Sequence, residues 1–248
     1  MTLREFFKTY PRVAVAFSGG VDSAFVLYAA RKYADRVRAY YVRSEFQPEF
    51  EQQDAARLAK ELDADMRILS LQVLDVPGVR DNPPDRCYHC KKTILGAIAE
   101  AARADGFTVL LDGTNASDGA GDRPGMRALR EFSVLSPLRE CGLTKDRIRQ
   151  LSREAGLFTW DKPAYACLAT RIPTGEEITE RKLAATESAE AYMFSLGFTD
   201  FRVRSRDGHA VLQLPESQTE RLWRHRKEIL ERLKADYRTV SLDLEVRG

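Results

Sequence analysis

The sequence predicts an α/β protein in which a parallel sheet covered by helices is followed by a smaller α+β domain. Three observations predict it. Between residues 12 and 112, short β-rich runs alternate with segments of helical spacing, the pattern of β-α-β units whose strands run parallel. After Arg171 the turn signal Ile172-Pro173-Thr174-Gly175 opens a region of mixed helix and paired-strand patterns. The chain has 248 residues, comfortable for two unequal domains, and we place them at 1–172 and 173–248.

The elements follow in order. Residues 12–17 are a β-rich run, and 23–33 have helical spacing with apolar Phe25, Val26, Leu27 and Ala30. Strand 36–42, helix 49–62, strand 66–71, helix 91–105 and strand 108–112 complete the alternation. In the second region a helix over 179–196 precedes strands 201–203 and 210–214, paired through Asp207-Gly208. A helix over 216–233 and a final strand over 238–246 end the chain. Val76 to Asp85, rich in Pro and Asp, is the most irregular stretch.

Composition narrows the class. Hydrophobic residues are 44% and charged residues 31% of the chain, the balance of a soluble globular protein. A net charge of +2 creates no global field towards nucleic acid or an anionic membrane. The charged N-terminus is no secretory signal, and no apolar run reaches the roughly 18 residues of a membrane span. The expected location is cytoplasmic. Four cysteines in such a chain suit metal or redox chemistry better than structural disulfides.

Ligands of parallel sheets bind beyond the carboxyl ends of the strands. Ser18-Gly19-Gly20-Val21-Asp22-Ser23, Ser44, and Asp112-Gly113-Thr114-Asn115 all fall at such ends. The hexapeptide stands between strand and helix. Its glycines bring backbone N–H groups close to phosphate oxygens, and the helix N-terminus adds donors and partial positive charge. Ser18 and Ser23 add hydroxyl donors, and Asp22 is placed to hold a magnesium ion that bridges the phosphates. The lysine-bearing G-x-x-x-x-G-K-[ST] loop is missing, so γ-phosphoryl transfer is not the expected chemistry.

Cys87 and Cys90 form a C-x-x-C pair, able to bind one metal ion or one face of an iron–sulfur cluster, or to form a redox disulfide. Cys141, just before a helix that Thr144 can cap, reads as a small semi-buried residue. Cys167 lies in a loop with basic residues on both sides, surroundings that favour a reactive thiolate. Arg202 and Arg204 alternate on a strand and share a face, where two guanidinium groups can clamp a phosphate bidentately or form a solvated basic face.

The hexapeptide resembles the PP-loop of the ATP pyrophosphatases, with their adenine nucleotide alpha hydrolase-like fold. The resemblance implies ATP cleavage between the α and β phosphates, with Ser18, Gly19, Gly20, Val21, Asp22, Ser23, Ser44, Gly113 and Thr114 around the nucleotide and Mg2+. Four further blocks narrow it: D-R-C-Y-H-C-K-K from Asp85, Asp112 to Asn115, W-D-K-P-A-Y-A-C-L-A-T-R-I-P from Trp160, and Phe201 to Arg204. Together they resemble the LarE family, sulfur transferases of nickel-pincer nucleotide synthesis for lactate racemase. The resemblance implies a pyridinium 3,5-dicarboxylate mononucleotide substrate, a sulfide or other sulfur donor, and a homo-oligomer. It implies Arg202, Arg204 and Glu190 around the substrate, and Cys167, Asp22 and Arg171 in catalysis. One version of the family sacrifices the sulfur of a single cysteine, matching Cys167. In the other, three cysteines hold a 4Fe–4S cluster, and the presence of Cys87 and Cys90 beside Cys167 favours that version here. A tRNA thiolase would need a broad positive surface, an amidating ligase has no use for the cysteines, and a zinc-stabilised nucleotide sensor would release no pyrophosphate.

Overall fold

The computed structural model describes residues 1–119 and 124–245. The chain divides into two compact units, one of Met1–Val76 with Asp85–Lys162 and one of Pro77–Pro84 with Pro163–Gly248. The expected boundary at 172/173 lies ten residues beyond this division at Lys162/Pro163. Long-range hydrogen bonds explain where the proline-rich stretch goes. Asn82 Nδ2 donates to the carbonyls of Ile172 and Pro173, and Gly175 N and Ile178 N donate to the carbonyls of Asn82 and Arg80.

In the first unit a capping box of Thr2 and Glu5 starts helix α1 (Leu3–Thr9). Strand β1 (Arg12–Ala16), helix α2 (Val21–Tyr33), β2 (Arg36–Arg43), α3 (Glu49–Glu61) and β3 (Met66–Ser70) follow. Then come α4 (Arg86–Ala104), β4 (Leu110–Leu111), α5 (Pro124–Glu131), α6 (Pro137–Glu140) and α7 (Lys145–Glu154). The four strands pair in parallel in the order β3-β2-β1-β4. Alternate residues feed two cores, as the two-residue period of a strand requires. Val13, Val15, Val37, Ala39 and Tyr41 pack with Phe6, Phe7 and the apolar side of α2. Ala14, Tyr40 and Val42 pack with Leu95 and Ile98 of α4 and Leu129 of α5. Each fully buried side chain of this size contributes roughly 1.5–3 kcal/mol.

Strand order reverses beside β1: β2 and β3 lie to one side, β4 to the other. The chain leaving β1 and the chain leaving β4 therefore flank the topological switch point, where such sheets bind ligands. Two elements of the expected alternation differ clearly in extent. Helix α4 begins at Arg86 rather than 91, so both cysteines of the pair lie in its first turns. Strand β4 spans two residues of the expected five, 108–112.

The second unit holds α8 (Glu180–Ser195), β5 (Arg202–Arg206), β6 (His209–Gln213), α9 (Thr219–Leu233) and β7 (Thr239–Leu242). Strands β5 and β6 form an antiparallel hairpin and β7 runs parallel to β6. Its turn has Asp207 at φ +49° and Gly208 at φ +76°, as expected of an Asp-Gly hairpin. Met193, Phe198, Phe201, Val203, Leu212 and Ile229 centre its core. The expected final strand ends at residue 246, outside the described residues; β7 itself stops at Leu242.

Candidate active site

In the first unit the phosphate loop joins β1 to α2 as expected. Ser18 N donates to Ser23 Oγ at 3.2 Å, the two serine hydroxyls lie 3.1 Å apart, and Ser23 Oγ donates to Gly20 O at 3.2 Å. This knot holds the loop shut around the first turn of α2, whose leading N–H groups have no intrahelical acceptor. Gly19 has φ +76°, and a Cβ there would lie 3.2 Å from Ala55 Cβ of α3. Only glycine suits that backbone.

The loop leaving β4 closes on the same place. A Cβ on Gly113 would stand 2.8 Å from Ser23 N and 3.1 Å from Asp22 Cβ, so the absence of a side chain is what lets the two loops touch. Asp112, 9% exposed, accepts from Ser136 Oγ at 2.7 Å and from the Thr114 hydroxyl. Asn115 accepts from Ser117 N at 2.8 Å and fixes the turn that leads on. The Ser44 hydroxyl donates to Gln47 Oε1 at 2.6 Å and accepts from Phe46 N at 3.3 Å, closing the turn after β2.

Asp22 Oδ2 accepts from Lys145 Nζ at 2.5 Å, while Oδ1 is buried without a hydrogen-bond partner among the described residues. Burial pushes the Asp22 carboxyl above its ordinary range, and the Lys145 ammonium pulls it part of the way back. A hard carboxylate oxygen with no other partner suits a magnesium ion. Lys145 is the first residue of α7, behind the Thr144 cap, and sequence reasoning did not single it out. The signal was available: a cation at a helix N-terminus opposes the macrodipole. Also missed was Lys162, whose Nζ lies 2.7 Å from Asp54 Oδ2 and 3.5 Å from Glu51 Oε1. Arg149 fixes that segment by donating to the carbonyls of Trp160 and Lys162 at 2.6 and 2.8 Å.

Cys87 and Cys90 stand three residues apart on α4, on one helix face. Cys87 is exposed and Cys90 half-buried. The Arg86 guanidinium lies 3.6 Å from Cys87 Sγ and above the ring of Phe46. Cys141 packs against the first core, and burial pushes its thiol up.

In the second unit Cys167 is half-buried, at the start of a single 3-10 turn, Leu168–Arg171. Its carbonyl accepts from Thr170 N at 3.0 Å and Thr170 Oγ1 at 2.8 Å. Three arginines hold this loop through backbone carbonyls. Arg171 Nη1 donates to Ala166 O at 2.8 Å, Arg202 Nη2 to Ala164 O at 2.5 Å, and Arg204 Nη1 to Thr170 O at 2.6 Å.

Arg171, expected in catalysis, and Glu190, expected around the substrate, are each only 1% exposed. Arg171 Nε and Nη2 donate to the two Glu190 oxygens at 2.8 and 3.1 Å. Glu190 also accepts from Val203 N at 2.9 Å and from the Tyr165 hydroxyl. Burial works against the charge of Arg171, but the bonds to Glu190 win and hold its pKa above the ordinary value. Both side chains therefore position the Cys167 loop.

Residues 6–129 match the asparagine synthase family profile. The chain is 34% identical to the pyridinium-3,5-bisthiocarboxylic acid mononucleotide synthase of Lactiplantibacillus plantarum, over 98% of this chain and 89% of that protein. The chain belongs to the LarE family. Two uncharacterised relatives are also similar to it. One from Synechocystis sp. is 37% identical over 87% of this chain and 81% of its own length. One from Methanocaldococcus jannaschii is 28% identical over 98% and 93%.

This LarE protein is an ATP-dependent enzyme with a PP-loop α/β domain. Among the described residues no helix is long and apolar enough to cross a membrane. Its cysteines suit a 4Fe–4S cluster by chemistry, since none of the four is taken up in a disulfide and three thiolates leave one iron open. Among the described residues, however, no group of three His, Cys, Asp or Glu side chains is placed to hold a metal ion.

Proposed function

We propose that this LarE protein adenylates a carboxylate of pyridinium-3,5-biscarboxylic acid mononucleotide and converts it to a thiocarboxylate. The observation that carries the reading is 34% identity across 98% of the chain to a relative named for the corresponding bisthiocarboxylic product. The knotted phosphate loop supports it, because it offers backbone donors and a partnerless carboxylate oxygen at one place.

The two half-reactions balance without an oxidant. A substrate carboxylate oxygen attacks the α-phosphorus, the bond from that phosphorus to the bridging oxygen breaks, and pyrophosphate leaves. A sulfur nucleophile then attacks the acyl carbon, and the carbon–oxygen bond to AMP breaks. Ser18 to Ser23 and Gly113 orient the phosphates, and Asp22 would hold Mg2+ there. Arg202 and Arg204 serve the substrate phosphate through their guanidinium charge. Cys87, Cys90 and Cys167 would hold the 4Fe–4S cluster, which supplies a positioned, refillable sulfide. Arg171 and Glu190 keep the Cys167 loop in shape.

A second reading concerns the sulfur step alone: Cys167, on a loop whose carbonyls three arginines hold, gives up its own sulfur.

The test is anaerobic incubation with ATP, Mg2+, sulfide and the dicarboxylate mononucleotide. Pyrophosphate, AMP and a product heavier by one oxygen-to-sulfur exchange should appear in equal amounts. ATP turnover to ADP, or product without AMP, would sink the proposal.

A further inference from the structure

Arg86 is a buried cation that no carboxylate answers among the described residues. It is 5% exposed, and its guanidinium meets the Cys87 sulfur, to which Nη2 donates at 3.6 Å, and the Phe46 ring at 5.6 Å. The neighbouring carboxylate of Asp85 is turned to His89 instead, 3.3 Å from its Nε2. A buried charge without an opposite partner is costly.

Its place in the chain adds to the cost. Arg86 opens α4, whose first turn holds no acidic residue and whose N-cap Asp85 makes no side-chain cap bond. A cation there opposes the helix dipole. Burial, the missing carboxylate and the helix end all disfavour a guanidinium that serves packing alone, and a negative sulfur at Cys87 answers all three. The guanidinium is also held in place. Phe46, fully buried, is its platform; Phe46 N donates to Ser44 Oγ at 3.3 Å, and the Ser44 hydroxyl is tied in turn to Gln47 Oε1. An arginine fixed in this way presents a directed N–H donor, which a flexible lysine ammonium does not.

We infer that Arg86 is a positioning residue of the sulfur step: its guanidinium, seated on Phe46, donates to the Cys87 sulfur and holds that thiolate in the direction in which it binds the cluster. The inference rests on the reading above that Cys87, Cys90 and Cys167 hold a 4Fe–4S cluster. Hydrogen bonds to the sulfurs help to set the potential of such a cluster, and groups that orient a metal ligand are worth about 10–100-fold in metal affinity.

The experiment uses the whole protein, prepared anaerobically with iron and sulfide, as wild type, Arg86→Met and Arg86→Lys. Iron retention against a chelator, the midpoint potential followed by electron paramagnetic resonance, and pyrophosphate release are measured on each. Arg86→Met should hold iron about 10–100-fold more weakly and shift the potential to more negative values, because a donor and a positive charge beside the ligand sulfur are gone. Its pyrophosphate release should match the wild type. Arg86→Lys, which keeps the charge but not the directed donor, should fall between the two. Iron retention and potential unchanged in Arg86→Met overturn the inference. So does a loss of pyrophosphate release in folded Arg86→Met, which would assign the guanidinium to a nucleotide phosphate. If Arg86→Met does not fold, Arg86→Lys decides: a potential more negative than that of the wild type upholds the inference, and an unchanged one overturns it. No iron in the wild type would instead overturn the cluster reading itself.

Discussion

Glu190 shows how one buried side chain can organise a reactive loop. Its two oxygens take Arg171, the hydroxyl of Tyr165 and the backbone of Val203, and the Arg171 guanidinium also stacks 4.4 Å above the Tyr165 ring. Removing one partner of a buried ion pair strands the other charge, which costs about 3–5 kcal/mol. Glu190→Gln should therefore lower unfolding stability by about that much in urea titrations, and Arg171→Met added to it should recover a large part of the loss. In the same variant, thiocarboxylate formation should fall more than pyrophosphate release, since the phosphate loop lies in the other unit. Equal loss of both would show that Glu190 supports the whole chain rather than the Cys167 loop. Sequence pattern showed that Arg171, Arg202, Arg204 and Glu190 are charged and clustered, but not which carbonyls and carboxylates they face. Those partners lie up to 38 residues away, beyond the reach of local periodicity.

At the scale of elements, α4 is tied to the sheet at its far end. Its C-cap Asp105 accepts from Tyr40 Oη at 2.7 Å, pairs with Arg38 at 2.9 Å, and accepts from Arg67 at 3.0 Å. These bonds, Tyr40 first, pull the carboxyl from 3.8 down to about 2. A lowered folded pKa adds stability above the unfolded value and loses it as pH falls towards the folded one. The stability gap between wild type and Asp105→Asn should hold steady above roughly pH 5 and narrow between about pH 4 and 2, followed by urea midpoints at each pH. A gap that widens on acidification would refute the assignment. The strand–helix alternation that built this unit was readable because β1 carries the apolar run Val13 to Ala16, β2 carries Ala39 to Val42, and α2 and α3 carry helical spacing. Helix α5 was not, because its apolar residues matter only against α4, where Ala128 and Leu129 become buried. The start of α4 was also missed, since Cys87, Tyr88 and His89 are weak helix formers and tertiary burial of Tyr88 outweighs that preference. The assignment of Pro77–Pro84 to the second unit rests on bonds to residues 172, 173, 175 and 178, which no composition shift announces.

For the whole molecule, the open question is how many times one chain can act. Two thiols lie on α4 of the first unit and the third on the arginine-held loop of the second. If all three hold a cluster, sulfur is refilled from solution and each chain turns over repeatedly. If Cys167 alone supplies sulfur, the carbon–sulfur bond of its side chain breaks, dehydroalanine remains, and each chain acts once. Cys87→Ser and Cys90→Ser separate the two, because neither residue has a part in the sacrificial chemistry. Anaerobically prepared wild type should contain iron and acid-labile sulfide and exceed one product per chain when sulfide is added. Each serine variant should lose most of its iron and its repeated turnover while still releasing pyrophosphate, since the PP-loop is untouched. Mass spectrometry of the wild type after reaction completes the comparison: an unchanged Cys167 agrees with refilling, whereas a chain about 34 Da lighter, the loss of hydrogen sulfide, with full activity in both serine variants, would establish Cys167 as the donor and remove the cluster from the mechanism.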